Sequence, residues 1–83
     1  MSELESLDAR GLLCPLPVIR TQDRVRTLAP GRQLEVVATD AGTLEDIPAW
    51  CRVHGHELIA LETMDEEPGG GPVYRFRIRV RDV

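Results

Sequence analysis

The chain has 83 residues, 42% of them hydrophobic and 29% charged, which suits one compact domain, residues 1–83, of ordinary soluble composition. Its net charge is −4 and all ten basic residues are Arg, which argues against a general nucleic-acid binder and leaves no lysine for Schiff-base chemistry. Two cysteines cannot build a disulfide-rich scaffold, no apolar run approaches the ~20 residues that span a membrane, and residues 1–7 lack the apolar core of a signal peptide. The expectation is a cytoplasmic protein without a membrane partner, its two thiols kept free by the reducing compartment.

In chain order, Leu4–Ala9 reads as a short edge strand. From Pro15 to about Ala29 the apolar residues Leu16, Val18, Ile19, Val25, Leu28 and Ala29 recur at helical spacing, with Arg20, Asp23, Arg24 and Arg26 on the outer face. Pro30-Gly31 stops that helix. Leu34–Thr39, rich in β-branched residues, is a strand bounded by Gly31 and Asp40-Ala41-Gly42. Pro48 sits too deep for a helix that begins at Thr43, so the pattern predicts an initial turn, Asp46 as N-cap, and a helix from Ile47 to about His54 closed by Gly55. Residues 56–64 form a third strand. Residues 65–72, with three consecutive glycines, read as a flexible hairpin connection without phosphate-loop spacing.

The last strand alternates most cleanly. Tyr74, Phe76, Ile78 and Val80 share one face, and Arg75, Arg77, Arg79 and Arg81 share the other, so one face is buried and one solvated. The order β-α-β-α-β-β predicts an α/β (α+β) two-layer sandwich, with a four-stranded mixed sheet and two helices on one face. With only Trp50, Tyr74 and Phe76 aromatic, its core is mostly aliphatic.

Cys14, in Cys14-Pro15-Leu16-Pro17, is the leading chemical candidate. Pro15 fits the first helical position, where its missing N–H has no partner to lose. A thiol at a helix mouth faces free amides and the positive dipole end, which lower its pKa from ~8.5 toward neutrality. The competing reading is a buried, inert cysteine. Cys51 lies beside Trp50 on an apolar helix face and reads as core. Cys14, Cys51, His54 and His56 lack the paired spacing of structural zinc, so no metal is expected. His54 and His56 read as a helix C-terminal residue and a turn residue. The arginine row reads as a solvated face balanced by Glu57, Glu62 and Asp65, with no interleaved aromatics for base stacking.

Leu7-Asp8-Ala9-Arg10-Gly11-Leu12-Leu13-Cys14-Pro15-Leu16-Pro17 resembles the signature of the TusA/SirA-like sulfur carrier family, as do Val37-Ala38-Thr39-Asp40, Asp46-Ile47-Pro48-Ala49-Trp50-Cys51, Gly55-His56-Glu57-Leu58 and Tyr74-Arg75-Phe76-Arg77-Ile78. The resemblance implies a sulfurtransferase acting as a persulfide carrier. Cys14 would take sulfur from a cysteine desulfurase or rhodanese-like donor and pass it to an acceptor protein, in tRNA thiolation, molybdenum cofactor or sulfur-oxidation pathways. It implies no organic cofactor or metal, and no direct nucleic-acid binding. Asp8, Gly11, Pro15 and Pro17 are the supporting motif positions: Gly11 would let the backbone turn beside the thiol, and Asp8 would accept hydrogen bonds from the loop. Arg10 is a candidate contact for a partner or for sulfur anion. The alternative function is a non-catalytic regulatory or RNA/protein-binding module using the arginine face of the last strand. A thiol peroxidase or redox sensor would need Cys51 as the resolving thiol.

Overall fold

The computed structural model describes residues 4–65 and 70–82. Its elements follow the predicted order: β1 (Leu4–Ala9), α1 (Leu16–Val25), β2 (Gln33–Ala38), α2 (Thr43–His54), β3 (Glu57–Asp65) and β4 (Pro72–Arg79). They form one four-stranded sheet in the order β1-β2-β4-β3. β1 and β2 are parallel, joined by α1 as a parallel crossover requires, and β4 is antiparallel to both of its neighbours.

The period-2 pattern of β2 and β4 places the core. Leu34, Val36 and Ala38 pair with Ile78, Phe76 and Tyr74 across the strands, and all six are buried with Val25 of α1 and Ile47, Trp50 and Cys51 of α2. Both helices therefore cover the same sheet face. Trp50 Nε1 donates to Gln22 Oε1 at 3.3 Å and ties α2 to α1. On the opposite face the arginines of β4 are paired. Arg75 and Arg77 approach Glu35, Arg75 also approaches Glu62, and Arg79 reaches Glu57 at 3.0 Å. Arg75 Nε lies 3.1 Å from Glu35 but out of line for a hydrogen bond.

Both helices differ from the sequence expectation. α1 begins one residue later, with Pro15 as N-cap and Pro17 in the first turn. It also ends at Val25 rather than near Ala29, because Thr27 and Leu28 turn back onto Arg24 and Val25, and the Thr27 hydroxyl takes the Arg24 carbonyl at 2.7 Å. α2 starts at Thr43 with Gly42 as N-cap, so Asp46 is not its cap. The Asp40 carbonyl accepts from both the Thr43 amide and hydroxyl, and the Gly42 carbonyl accepts the Glu45 and Asp46 amides. This first turn is complete before Pro48 removes a donor, and it releases the Asp46 carboxylate from capping. Gly55, in left-handed conformation at φ 77°, closes α2 as expected.

The hairpin connection read at residues 65–72 lies partly, at residues 66–69, outside the described residues. No helix among the described residues is long and apolar enough to cross a membrane.

Candidate functional site

Because β1 and β2 run parallel as neighbours, their C-terminal ends deliver two loops to the same edge of the molecule. The first, residues 10–15, carries Cys14; the second, residues 39–42, carries Asp40 and leads into α2. Gly11, at φ 81°, makes the turn that an L side chain would resist. Its amide donates to Thr39 Oγ1 at 2.9 Å, and the Cys14 amide donates to Asp40 Oδ2 at 2.9 Å. At Gly42 an added Cβ would come 3.1 Å from Asp40 Oδ2 and 3.5 Å from the Cys14 Cβ, so the second loop must stay lean to let the first one close on it.

Cys14 is exposed and its thiol donates to Asp46 Oδ2, one turn into α2. This hydrogen bond, then local desolvation, then the charges of Asp46 and Asp40 hold the Cys14 pKa above the ordinary cysteine range. The expectation of a thiol depressed by the helix end is therefore corrected. The two prolines explain why that end is weak. Pro15 and Pro17 supply no N–H, and the Leu16 amide is spent on the Leu13 carbonyl at 2.9 Å, so few donors remain to face sulfur. Asp46 and Asp40 both favour the protonated form of the free thiol.

The other motif residues frame the loop. Pro17 is buried beneath the first turn of α1, and Pro15 is exposed beside the thiol. Asp8 accepts from the Arg10 amide at 3.1 Å and from the Arg10 guanidinium at 2.9 and 3.0 Å. That pairing holds the Asp8 carboxyl below the usual range and joins the end of β1 to Arg10 in the loop. It also directs the guanidinium of Arg10, the candidate for contacting sulfur anion, to Asp8. Leu13, Leu16 and Ile19, which flank Cys14 in sequence, are exposed apolar side chains.

Cys51 is buried, as expected, and burial pushes its pKa up to about 11 despite the opposing charge of Arg52. His54 ends α2 and His56 follows it; both rings lie against Trp50, at 5.3 and 5.1 Å between centroids. His56 Nδ1 accepts the Arg81 amide at 3.1 Å, and its pKa is lowered by burial and then by His54. No group of metal-ligating side chains is assembled among the described residues.

Sequence reasoning about the site missed Asp40 and Asp46. The signal available was indirect, since both fall inside the segments that carry the family resemblance, but neither is marked as a partner of Cys14 by spacing. The family model of Sulfurtransferase TusA matches residues 5–80. The chain belongs to the TusA sulfurtransferase family. Sulfur carrier protein TusA of Pseudomonas aeruginosa is 46% identical over 71 residues, covering 86% of this chain and 85% of that protein. Two proteins of Bacillus subtilis named as putative sulfur carriers also match. YrkI is 44% identical across 88% of this chain and 89% of its own length. YrkF is 43% identical across 72% of this chain, and the match spans only about a third (32%) of YrkF. The crystal structure of a SirA-like protein from Desulfitobacterium hafniense superposes with a TM-score of 0.69 at 21% identity, over 95% of this chain and 99% of that one. This TusA-type chain therefore shares the fold of a SirA-like protein, and its four-stranded mixed sheet with two helices is the α+β arrangement that the β-α-β-α-β-β order predicts.

Proposed function

We propose that this protein is a sulfur carrier in which Cys14 is loaded with persulfide sulfur by a donor protein and passes it to an acceptor protein. The observation that carries the reading is the exposed Cys14 thiol, held at a fixed loop junction within the Cys-Pro-x-Pro segment of a TusA family member. A carrier needs a sulfur that can be reached twice, once to attack and once to be attacked, and exposure together with a positioned backbone serves both events.

In loading, Cys14 Sγ attacks the outer sulfur of a donor persulfide. The new bond joins Sγ to that sulfur, the donor S–S bond breaks, and its electron pair leaves on the donor's inner sulfur. Cys14–SH and donor–SSH become Cys14–SSH and donor–SH, with no net oxidation, so the chemistry calls on no cofactor. Cysteine desulfurases and rhodanese-like proteins carry the required persulfide, and a reducing cytoplasm keeps the receiving thiol free. Acceptors in tRNA thiolation, molybdenum cofactor formation or sulfur oxidation fit the same hand-over. The exposed Leu13, Leu16 and Ile19, close to Cys14 along the chain, offer apolar surface to such partners.

The test is incubation with a cysteine desulfurase and cysteine, followed by intact-mass and peptide mass spectrometry. A gain of one sulfur atom on Cys14, absent from Cys14→Ser, is the expected result. A free Cys14 that gains no sulfur from desulfurase or rhodanese donors overturns the reading.

A further inference from the structure

We propose that Asp46 is the proton-transfer residue of sulfur exchange at Cys14: its carboxylate accepts the Sγ proton as Cys14 attacks the donor persulfide, and passes that proton to the departing donor sulfur. The inference rests on the carrier reading above and names a second reacting group for it. Three features carry it. The Cys14 thiol donates directly to Asp46 Oδ2, across 32 positions of sequence. The other carboxylate at the site is already committed, because Asp40 Oδ2 receives the Cys14 amide and fixes the backbone rather than the sulfur. And Asp46 is held in place by its own amide, which donates to the Gly42 carbonyl at 3.0 Å within the first turn of α2.

The electrostatics demand such a group. The charged groups that bear on the thiol are Asp46 from α2 and Asp40 from the loop before it, both acidic and both favouring the protonated sulfur, while the Arg10 guanidinium is bound to Asp8. The two aspartates therefore hold the resting thiol protonated, and Sγ must give up that proton as the S–S bond forms. In the loading step it moves from Sγ to Asp46 Oδ2 and on to the donor's inner sulfur, which leaves as a neutral thiol. In unloading the direction reverses: an acceptor thiol takes the outer sulfur, and Asp46 relays the acceptor's proton to the departing Cys14 Sγ. The same carboxylate serves both directions, as a reversible exchange requires.

The experiment separates proton relay from mere control of the thiol by using two reagents with different leaving groups. Iodoacetamide alkylates Cys14 and expels iodide, which needs no proton, whereas cysteine persulfide transfers sulfur and expels a thiolate, which does. Asp46→Asn removes the group that raises the Cys14 pKa, so alkylation at pH 7 should accelerate, while sulfur loading should slow by about tenfold or more. The loading deficit should shrink as pH rises and the thiol ionises without help. Asp46→Glu keeps a carboxylate and should restore loading to within about tenfold of wild type, which also covers the case in which the Asn variant does not fold. Loading and alkylation that rise together in Asp46→Asn, or that both stay unchanged, overturn the proposal and leave the carrier reading intact. Wild-type protein with a free Cys14 that takes no sulfur from cysteine persulfide overturns both.

Discussion

Cys14 and Cys51 are the same side chain in two opposed settings. Cys14 is exposed on a loop and bonded to a carboxylate; Cys51 is buried on α2 against the sheet. Both thiols sit above the ordinary cysteine range, the first because Asp46 and Asp40 hold its proton, the second because burial excludes its charge. The contrast teaches that a raised thiol pKa has two meanings. Carboxylate contact stores a proton that a docking partner or a reaction can move, while burial removes the sulfur from chemistry altogether.

The largest effect that would break this comparison is in sulfur loading. Cys14→Ser should abolish it, and Cys51→Ser should leave it near the wild-type rate, as measured by mass spectrometry after incubation with a persulfide donor. Equal loss in both variants would give Cys51 a share in the chemistry. Next, alkylation should reach Cys14 alone in the folded protein, more slowly at neutral pH than a cysteine in an unstructured peptide, and reach Cys51 only on addition of denaturant. Labelling of Cys51 at the rate of Cys14 would contradict its burial.

Stability offers smaller but sharper contrasts. Ile47, fully buried one turn before Cys51, should cost about 2–5 kcal/mol when truncated to Ala, read from urea unfolding. Gly11→Ala, which forces φ 81° on a side chain, should cost about 1–2 kcal/mol. It should also lower the loading rate, because the same loop aims the thiol. The contrast that is smallest at neutral pH is the titration of Cys51. Its folded pKa of about 11 exceeds the unfolded value of about 8.5, so the folded state keeps a proton that the unfolded chain has lost. That contribution is intact below about pH 8.5 and is lost as pH rises toward 11. Subtracting the pH profile of Cys51→Ala from that of the wild type isolates it, and a flat difference would place Cys51 in contact with water.

The sheet and its faces were legible because β2 is rich in β-branched residues and β4 alternates Tyr74, Phe76 and Ile78 with Arg75, Arg77 and Arg79, a pattern that tolerates only one register against a buried face. Cys14 was legible because two prolines and Gly11 punctuate its loop. The environment of its sulfur was not. Asp46 looked like a helix cap because Pro48 argued for a late helix start. The local turn from Asp40 to Thr43 moves the start of α2 forward, and only the packing of the Cys14 loop against it brings the thiol to the Asp46 carboxylate. In the same way, Glu35 was not foreseen as the partner of Arg75 and Arg77, since cross-strand neighbours 40 or so positions apart are set by register rather than by local pattern.

The side-by-side parallel course of β1 and β2 has a mechanical consequence. Their ladder runs from Leu4↔Gln33 to Ala9↔Ala38, and the bonds from Gly11 to Thr39 and from Cys14 to Asp40 act as two further rungs beyond the sheet. A pull on the thiol loop is therefore passed to the β1–β2 ladder and to the turn that carries Asp40. The thiol is thus moored to the sheet through its own backbone rather than carried on a free arm.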